Sequence, residues 1–269
     1  MKKFEVPYNF ENDYFDKLSS LDSKYFDYIK FIYLPAFKEH NVQNSREEFF
    51  NCKNYNDLIS YKEILKKIKS FNIDIALLIQ RGATIDIIEK YYNEFNIKYF
   101  IINDDSLAKE IKSKYGKKIY LILSVTRILK YDDIINKDLS MYDEIVLYFW
   151  FNKHLDYIKK LPSKYNYSIL VNSECIYNCK FPKIHWFNKK EQCRRYNKEY
   201  SIFIDKNDLI YFDRYINSFK LVDRTFPSQK IIDELIMYIE GYININNIKF
   251  DKNMEDHYNL NDDSEFKPI

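Results

Sequence analysis

Eight short apolar runs recur along the 269-residue chain, separated by amphipathic stretches. Their Ile, Val, Leu and Phe content, with little polar alternation, is typical of strands covered on both faces, as in parallel sheets. The pattern therefore predicts eight parallel strands. They are Lys3–Pro7, Tyr28–Leu34, Ile73–Ile79, Tyr99–Ile102, Ile119–Leu123, Glu144–Phe149, Tyr167–Val171 and Phe219–Val222.

Helical spacing of apolar residues appears between these strands. The predicted helices are Asn56–Phe71, Ile85–Phe95, Ser106–Tyr115, Tyr131–Ile135, Asp205–Ile216 and Ser228–Tyr242. Eight strands alternating with helices in one chain most economically form an α/β fold with a (β/α)8, TIM-barrel-like single domain. The alternative is an open doubly wound sheet. The sequence has three glycines and no Gly-rich phosphate motif, which argues against a nucleotide-binding Rossmann or P-loop enzyme.

The barrel domain is expected to span residues 1–252, followed by a polar tail, residues 253–269, that frays. Lys+Arg 42 against Asp+Glu 40 leaves a net charge of +2, which predicts neither a polyanion-binding protein nor an acidic solvating one. No apolar run has the length of a signal peptide or a membrane span. We therefore expect a cytoplasmic protein without membrane contact, in which thiols stay reduced.

The segment Leu170–Trp186, LVNSECIYNCKFPKIHW, contains the densest group of candidate site residues. A β-branched, apolar strand stops there abruptly in polar and thiol side chains. In a barrel the chemistry belongs to the loops that follow the strands. This segment therefore predicts the rim of an active site.

Four cysteines are candidate metal ligands: Cys52, Cys175, Cys179 and Cys193. Four thiolates form the usual ligand set of an iron–sulfur cluster or a structural zinc ion. The C-x-x-x-C spacing lacks the tight turn of zinc ribbons and so favours the cluster. Two alternatives stay open: ordinary reduced cysteines, and a cysteine nucleophile assisted by His185.

Three residues are candidates for catalysis. His185 is interpreted as a ligand, a general base or a loop residue, and Glu174 follows the seventh strand. Arg224 directly follows the eighth strand, where its guanidinium can bind a carboxylate or phosphate through two hydrogen bonds. The alternative role of Arg224 is an ion pair with Asp223 or a neighbouring loop acid.

Three further residues at strand ends are candidates for cofactor binding. Asn172 ends the seventh strand, and Arg46 and Arg81 lie in the loops after the second and third strands. If the barrel forms, all three belong to the face at which barrel enzymes bind their ligands.

Two late segments resemble a known protein family. Residues 170–186 resemble the Asn-x-x-Cys-x-x-x-Cys-Pro…His segment of proteins related to the collagenase-like peptidases of unknown catalytic type, peptidase family U-32. Ile204–Pro227 is similar to that family's R-P-E-D-L…Y…G…F-K-L-x-G-R ending. Lys180 stands where the family has proline after the second cysteine. The histidine–glycine–cysteine signature of the peptidase branch is absent, which argues against proteolysis.

The resemblance implies a barrel-type fold and, as in several branches, an oxygen-sensitive 4Fe-4S cluster; the matched cysteines are Cys175 and Cys179. Some branches hydroxylate ubiquinone precursors or RNA bases without dioxygen, with prephenate as oxygen donor. We therefore expect an iron–sulfur enzyme, an oxygen-independent hydroxylase or modifying enzyme, acting on a small molecule, peptide or RNA. The alternatives are a peptidase or other hydrolase without a cluster, and a non-catalytic subunit in a hetero-oligomer with a related barrel protein.

Overall fold

Eight strands, each parallel to its neighbours, form a closed barrel in the computed structural model. The structure describes residues 3–37, 53–80, 82–173, 202–222, 226–248 and 251–259. The strands are β1 Phe4–Pro7, β2 Ile29–Pro35, β3 Asp74–Leu78, β4 Tyr99–Ile102, β5 Tyr120–Leu123, β6 Glu144–Val146, β7 Asn166–Leu170 and β8 Ser218–Lys220. Pairing of β1 with β8 closes the barrel. The predicted (β/α)8, TIM-barrel-like fold and its eight strands are confirmed.

Helices cover the outside of the barrel. They are α1 Tyr14–Ser19, α2 Ser23–Phe26, α3 Lys53–Asn56, α4 Leu58–Ser70, α5 Ile85–Phe95, α6 Asp105–Tyr115, α7 Tyr131–Asn136, α8 Leu155–Ile158, α9 Leu209–Phe212, α10 Ser228–Ile243 and α11 Lys252–His257. Short 3-10 turns lie at Gly116–Lys118, Val125–Arg127, Phe149–Lys153 and Ile245–Asn247. Aspartate side chains cap two of the long helices: Asp57 accepts from the Ser60 N–H and Asp104 from that of Ser106.

The outward faces of β1 and β8 pack on α10. The ring centroids of Phe4 and Phe219 lie 6.0 and 6.1 Å from that of Tyr242. Since side chains alternate along a strand, the neighbours Glu5 and Lys220 point to the barrel interior.

The predicted helix Asp205–Ile216 is much shorter in the structure, where only Leu209–Phe212 is α-helical. The Asp205 carboxylate accepts the Asn207 N–H at 2.9 Å, which forms a local turn instead of a helix start. At the other end the N–H groups of Tyr215 and Ile216 both donate to the Phe212 carbonyl. One helical turn is enough to bury Leu209 and Phe212.

Residues 253–259 lie in the region where the sequence predicts a frayed tail, but they are folded against the barrel. The Tyr258 side chain is 2% exposed, and its ring centroid lies 5.1 Å from that of Phe212. The Leu155 N–H donates to the Tyr258 carbonyl at 3.0 Å. One buried aromatic side chain thus holds α11 in place; residues 260–269 lie outside the described residues.

Candidate functional site

The segments that follow the strands all leave the same face of the barrel, because the strands are parallel. One of these segments, residues 38–52, joins Phe37 to α3. The described residues on either side of it lie near the carboxyl end of β2. Phe37 follows that strand, and its N–H donates to the Tyr91 hydroxyl of α5 at 2.9 Å; the Tyr55 hydroxyl donates to the Ala36 carbonyl at 3.3 Å.

A second segment, residues 174–201, starts and ends beside β7. The Ile204 N–H donates to the Val171 carbonyl at 3.0 Å, so the chain returns to the strand end that it left. The Asn152 amide donates to the carbonyls of Leu170 and Ile202, at 2.6 and 2.8 Å. Both segments therefore begin and end at the carboxyl face of the barrel.

Most of the site residues predicted from the sequence lie outside the described residues, so their predicted roles stay predictions. These are Arg46, Cys52, Arg81, Glu174, Cys175, Cys179, His185, Cys193 and Arg224. Within the ranges that the structure describes, no group of three or more His, Cys, Asp or Glu side chains is arranged to hold a metal ion.

Asn172 is the predicted site residue that the structure describes. Its amide nitrogen donates to the Val222 carbonyl at 3.2 Å and to the Glu234 carboxylate at 2.5 Å. Its amide oxygen accepts the Val222 N–H at 2.7 Å. Asn172 thus connects β7, the end of β8 and α10 at the carboxyl face. Its role in cofactor binding stays a prediction.

The ends of β4 and β5 contribute further polar side chains to this face. The Asn103 amide donates to the Thr126 hydroxyl at 2.9 Å, and the Thr126 hydroxyl lies 3.0 Å from that of Ser124. Arg127 forms an ion pair with Asp105. Burial raises the pKa of Asp105, but hydrogen bonds from Arg127 and Tyr142 outweigh this and lower it. Arg127 is therefore already neutralised by its own chain.

The N-terminus of α10, which follows β8, is occupied by a carboxylate of the same chain. Glu11 accepts the Ser228 N–H at 2.8 Å and the Ser228 hydroxyl at 2.9 Å. The Asn9 amide donates to the same hydroxyl at 3.1 Å. Barrel enzymes often bind phosphate near this position. Here a phosphate at the helix N-terminus would have to displace Glu11.

Four charged side chains lie inside the amino-terminal half of the barrel, and none of them is among the predicted site residues. The Lys30 ammonium forms ion pairs with Glu144 and, at 3.4 Å, with Glu5. The Lys220 ammonium lies 2.8 Å from Glu5. Because β2 and β6 are not neighbouring strands, the contact between Lys30 and Glu144 crosses the barrel interior.

Hydroxyl and amide groups complete this buried charge network. The Ser218 hydroxyl lies 2.7 Å from the Glu5 carboxylate and 3.0 Å from that of Glu144. The Tyr120 hydroxyl donates to Glu144 at 2.9 Å and accepts from the Asn166 amide at 2.9 Å. Two ammonium groups thus balance two carboxylates that are 0% exposed.

The two buried carboxyl groups have opposite pKa shifts. Burial raises the pKa of Glu5, but Lys220 and Lys30 together outweigh burial and hold it well below its ordinary value. Burial also raises the pKa of Glu144, and the Glu5 carboxylate raises it further against the single opposing charge of Lys30. The pair therefore carries one firmly ionised carboxylate and one that takes up a proton more readily.

The sequence does carry a signal for this network. Glu5, Lys30 and Lys220 are single charges inside apolar strands. A charged side chain is rarely buried without a partner, so a lone charge in an apolar strand predicts an ion pair with an opposite charge on another strand. In the structure a β-bulge lies at one of these positions: the pairing of β1 with β2 passes from Ile29 to Phe31 and skips Lys30.

Comparisons with known proteins give structural similarity only. No protein family matches the sequence, and no curated protein matches it. The solved structure of the U32 peptidase Mk0906 has a TM-score of 0.58 at 9% identity, covering 83% of this chain and 93% of that chain. A conserved Enterococcus faecalis protein of unknown function has a TM-score of 0.48 at 11% identity, covering 91% of this chain and 66% of its own.

The match to the U32 peptidase shows that the two chains share a fold. The family that the sequence resembles is thus also the family of a solved structure with this barrel. Among the helices that the structure describes, none combines the length with the apolar composition that a membrane span requires.

Proposed function

We propose that this chain is an iron–sulfur enzyme of the barrel fold, related to the U32 peptidases, that modifies a small molecule, peptide or RNA at the carboxyl face of the barrel. One observation supports the proposal. Every cysteine of the sequence lies in one of two segments, residues 38–52 and 174–201, and both segments begin and end at that face.

The donor set suits an iron–sulfur cluster. Cys52, Cys175, Cys179 and Cys193 would supply four thiolates, the usual ligands of a 4Fe-4S cluster. A bound cluster would supply one-electron chemistry, or an iron site for a substrate oxygen. Modification of a substrate without dioxygen, including hydroxylation, fits that chemistry.

The chain's own residues would bind the substrate and move protons. Arg46, Arg81 and Arg224 would bind anionic groups through paired N–H donors. His185 would exchange a proton with the substrate at an imidazole nitrogen, and Glu174 would accept one at its carboxylate.

The distribution of arginine in the sequence supports an anionic substrate. All arginines except Arg214 follow the carboxyl end of a strand, whereas lysines occur throughout the chain. Arginine binds carboxylate and phosphate groups in a bidentate geometry that lysine cannot form. The arginines in segments that follow strand ends along the chain are Arg46, Arg81, Arg127, Arg194, Arg195 and Arg224. Since Arg127 is paired with Asp105, the others are the candidates for a carboxylate or phosphate of the substrate.

Anaerobic purification followed by iron and sulfide analysis tests the cluster. We expect brown protein with about four irons per chain. Cys175→Ser and Cys52→Ser should each lose most of this iron. Asn178→Ser, a change between Cys175 and Cys179 that removes no thiolate, serves as the matched control and should keep it.

A colourless protein that stays free of iron after anaerobic purification and reconstitution would contradict the cluster. If Cys175→Ser abolished turnover of a protein that never binds iron, the hydrolase alternative would replace it.

A further inference from the structure

Two buried side chains hold together the points at which residues 174–201 leave and rejoin the barrel. Asn152, in the 3-10 turn after β6, donates both amide hydrogens across this gap, to the carbonyls of Leu170 and Ile202. Asn152 is 0% exposed. The same amide group therefore contacts the chain before and after the segment.

Tyr238 of α10 bridges the same gap from the other side. Its hydroxyl lies 2.8 Å from the Ile204 carbonyl and 3.1 Å from the Val171 carbonyl. The Tyr238 side chain is 0% exposed, and burial raises its pKa, so the hydroxyl keeps its hydrogen. We call Asn152 and Tyr238 together the clamp.

The chain that returns to the barrel is anchored beyond these hydrogen bonds. Ile202 and Ile204 are both 0% exposed, whereas Phe203 between them points partly to solvent. One turn along α10 from Tyr238, Gly241 meets the backbone of Lys206: a Cβ there would lie 2.6 Å from the Lys206 carbonyl oxygen. The returning chain thus lies directly on α10.

We infer that Asn152 and Tyr238 are positioning residues: they hold together the two ends of the chain, at Leu170–Val171 and at Ile202–Ile204, between which the sequence has three of the four candidate cysteine ligands. The inference rests on the proposed function for the role of those cysteines. The clamp itself rests on the described contacts, which come from two elements on either side of β7.

Tyr238→Phe tests the inference because it removes one oxygen and keeps the buried ring. Tyr14→Phe is the matched control: Tyr14 is 0% exposed, and its hydroxyl donates to the Pro7 carbonyl at 3.0 Å, away from β7. Amide hydrogen exchange at Ile204, whose N–H donates to Val171, reports opening of the clamp. We expect exchange there to be about 5- to 30-fold faster in Tyr238→Phe and unchanged in Tyr14→Phe.

The second measurement is iron release to a chelator from the anaerobically purified protein, together with the electron paramagnetic resonance spectrum of its reduced form. In Tyr238→Phe we expect faster release, by a similar factor, and an altered spectrum. Tyr14→Phe should match the unmodified chain in both, since a general loss of stability would affect the two variants alike.

If the amide of Ile204 exchanged at the same rate in Tyr238→Phe and Tyr14→Phe, the inferred role of the clamp would be contradicted. Faster exchange with unchanged iron release and spectrum would overturn its positioning role. Faster exchange in a protein that binds no iron in any variant would support the clamp and refute the proposed function instead.

Discussion

Lys30 is the residue on which the buried charge network depends most. It is the cation that contacts both buried carboxylates, and it reaches them because the β-bulge leaves it without a partner in β1. Removing one member of a buried ion pair leaves an uncompensated charge in a poorly solvated interior. The two carboxylates would then share only Lys220, which contacts Glu5 and not Glu144 among the described ion pairs.

We predict that Lys30→Met lowers the free energy of unfolding by about 3–5 kcal/mol at neutral pH. Urea unfolding measures this. The double variant Lys30→Met with Glu144→Gln should recover part of the loss, because it removes the stranded charge as well.

Lys62→Met is the matched control for this prediction. The ion pair of Lys62 with Glu94 is largely exposed, and such pairs contribute at most about 1 kcal/mol. Equal losses in Lys30→Met and Lys62→Met would show that the buried network contributes no more than a surface pair.

At the residue scale the sequence indicated candidate site residues after the strands, most of which lie outside the described residues, and it did not predict the charge network of the interior. Loop positions after strands are readable because the fold rule assigns them to one face. The partners Glu5 and Lys220 are far apart in the sequence and meet only when the barrel closes. Asn152 and Tyr238 carry no local signal either, because their partners are backbone carbonyls of other elements.

At the scale of elements, α10 and the chain after Ile202 form one packing unit. Gly241 allows this, since its missing side chain leaves room for the Lys206 backbone. Backbone atoms cannot move aside as the end of a flexible side chain can.

We predict that Gly241→Ala destabilises the protein by about 1–3 kcal/mol, although alanine favours helix more than glycine does. Thermal or urea unfolding measures the change. Asp233→Ala, an exposed substitution in the same helix, should stay within about 0.5 kcal/mol. A stabilised Gly241→Ala variant would mean that the close contact with Lys206 is absent.

The strands and most helices were predictable because each has a continuous pattern of its own. The helix Ile85–Phe95 has the bounds that its apolar spacing predicts. The prediction of Asp205–Ile216 failed because an apolar stripe shows which side chains are buried, but not how many helical turns the packing needs. Here the chain still contacts the end of β7 at Ile204 and then turns at Asp205, so the α-helix covers only Leu209–Phe212.

At the scale of the whole molecule, Glu5 links stability to pH. Burial opposes its ionisation, yet Lys220 and Lys30 hold its pKa in the folded barrel well below the ordinary value of 4.5. Unfolding at acid pH therefore takes up a proton. The contribution of Glu5 is fully present above pH 4.5 and is lost as the pH falls toward the folded pKa. Glu144, whose pKa is raised, acts in the opposite direction above that range.

We predict that the free energy of unfolding falls between about pH 4 and pH 2, and that Glu5→Gln reduces the slope by up to about 1.4 kcal/mol per pH unit. Urea titrations at a series of pH values measure the slope. Glu63→Gln, which alters an exposed ion pair with Lys66, should keep the slope of the unmodified chain. An unchanged slope in Glu5→Gln would remove Glu5 from this linkage.

The seam between β1 and β8 also has a consequence for biosynthesis. Glu5 lies opposite Lys220 in that seam, so the first strand of the barrel can pair with the last only after the roughly 215 residues between them have been synthesised. At ordinary ribosome speeds the wait is about 10–40 s. Throughout it, the nascent chain exposes the unpaired apolar edge of β1, the kind of surface that chaperones protect before the cylinder is complete.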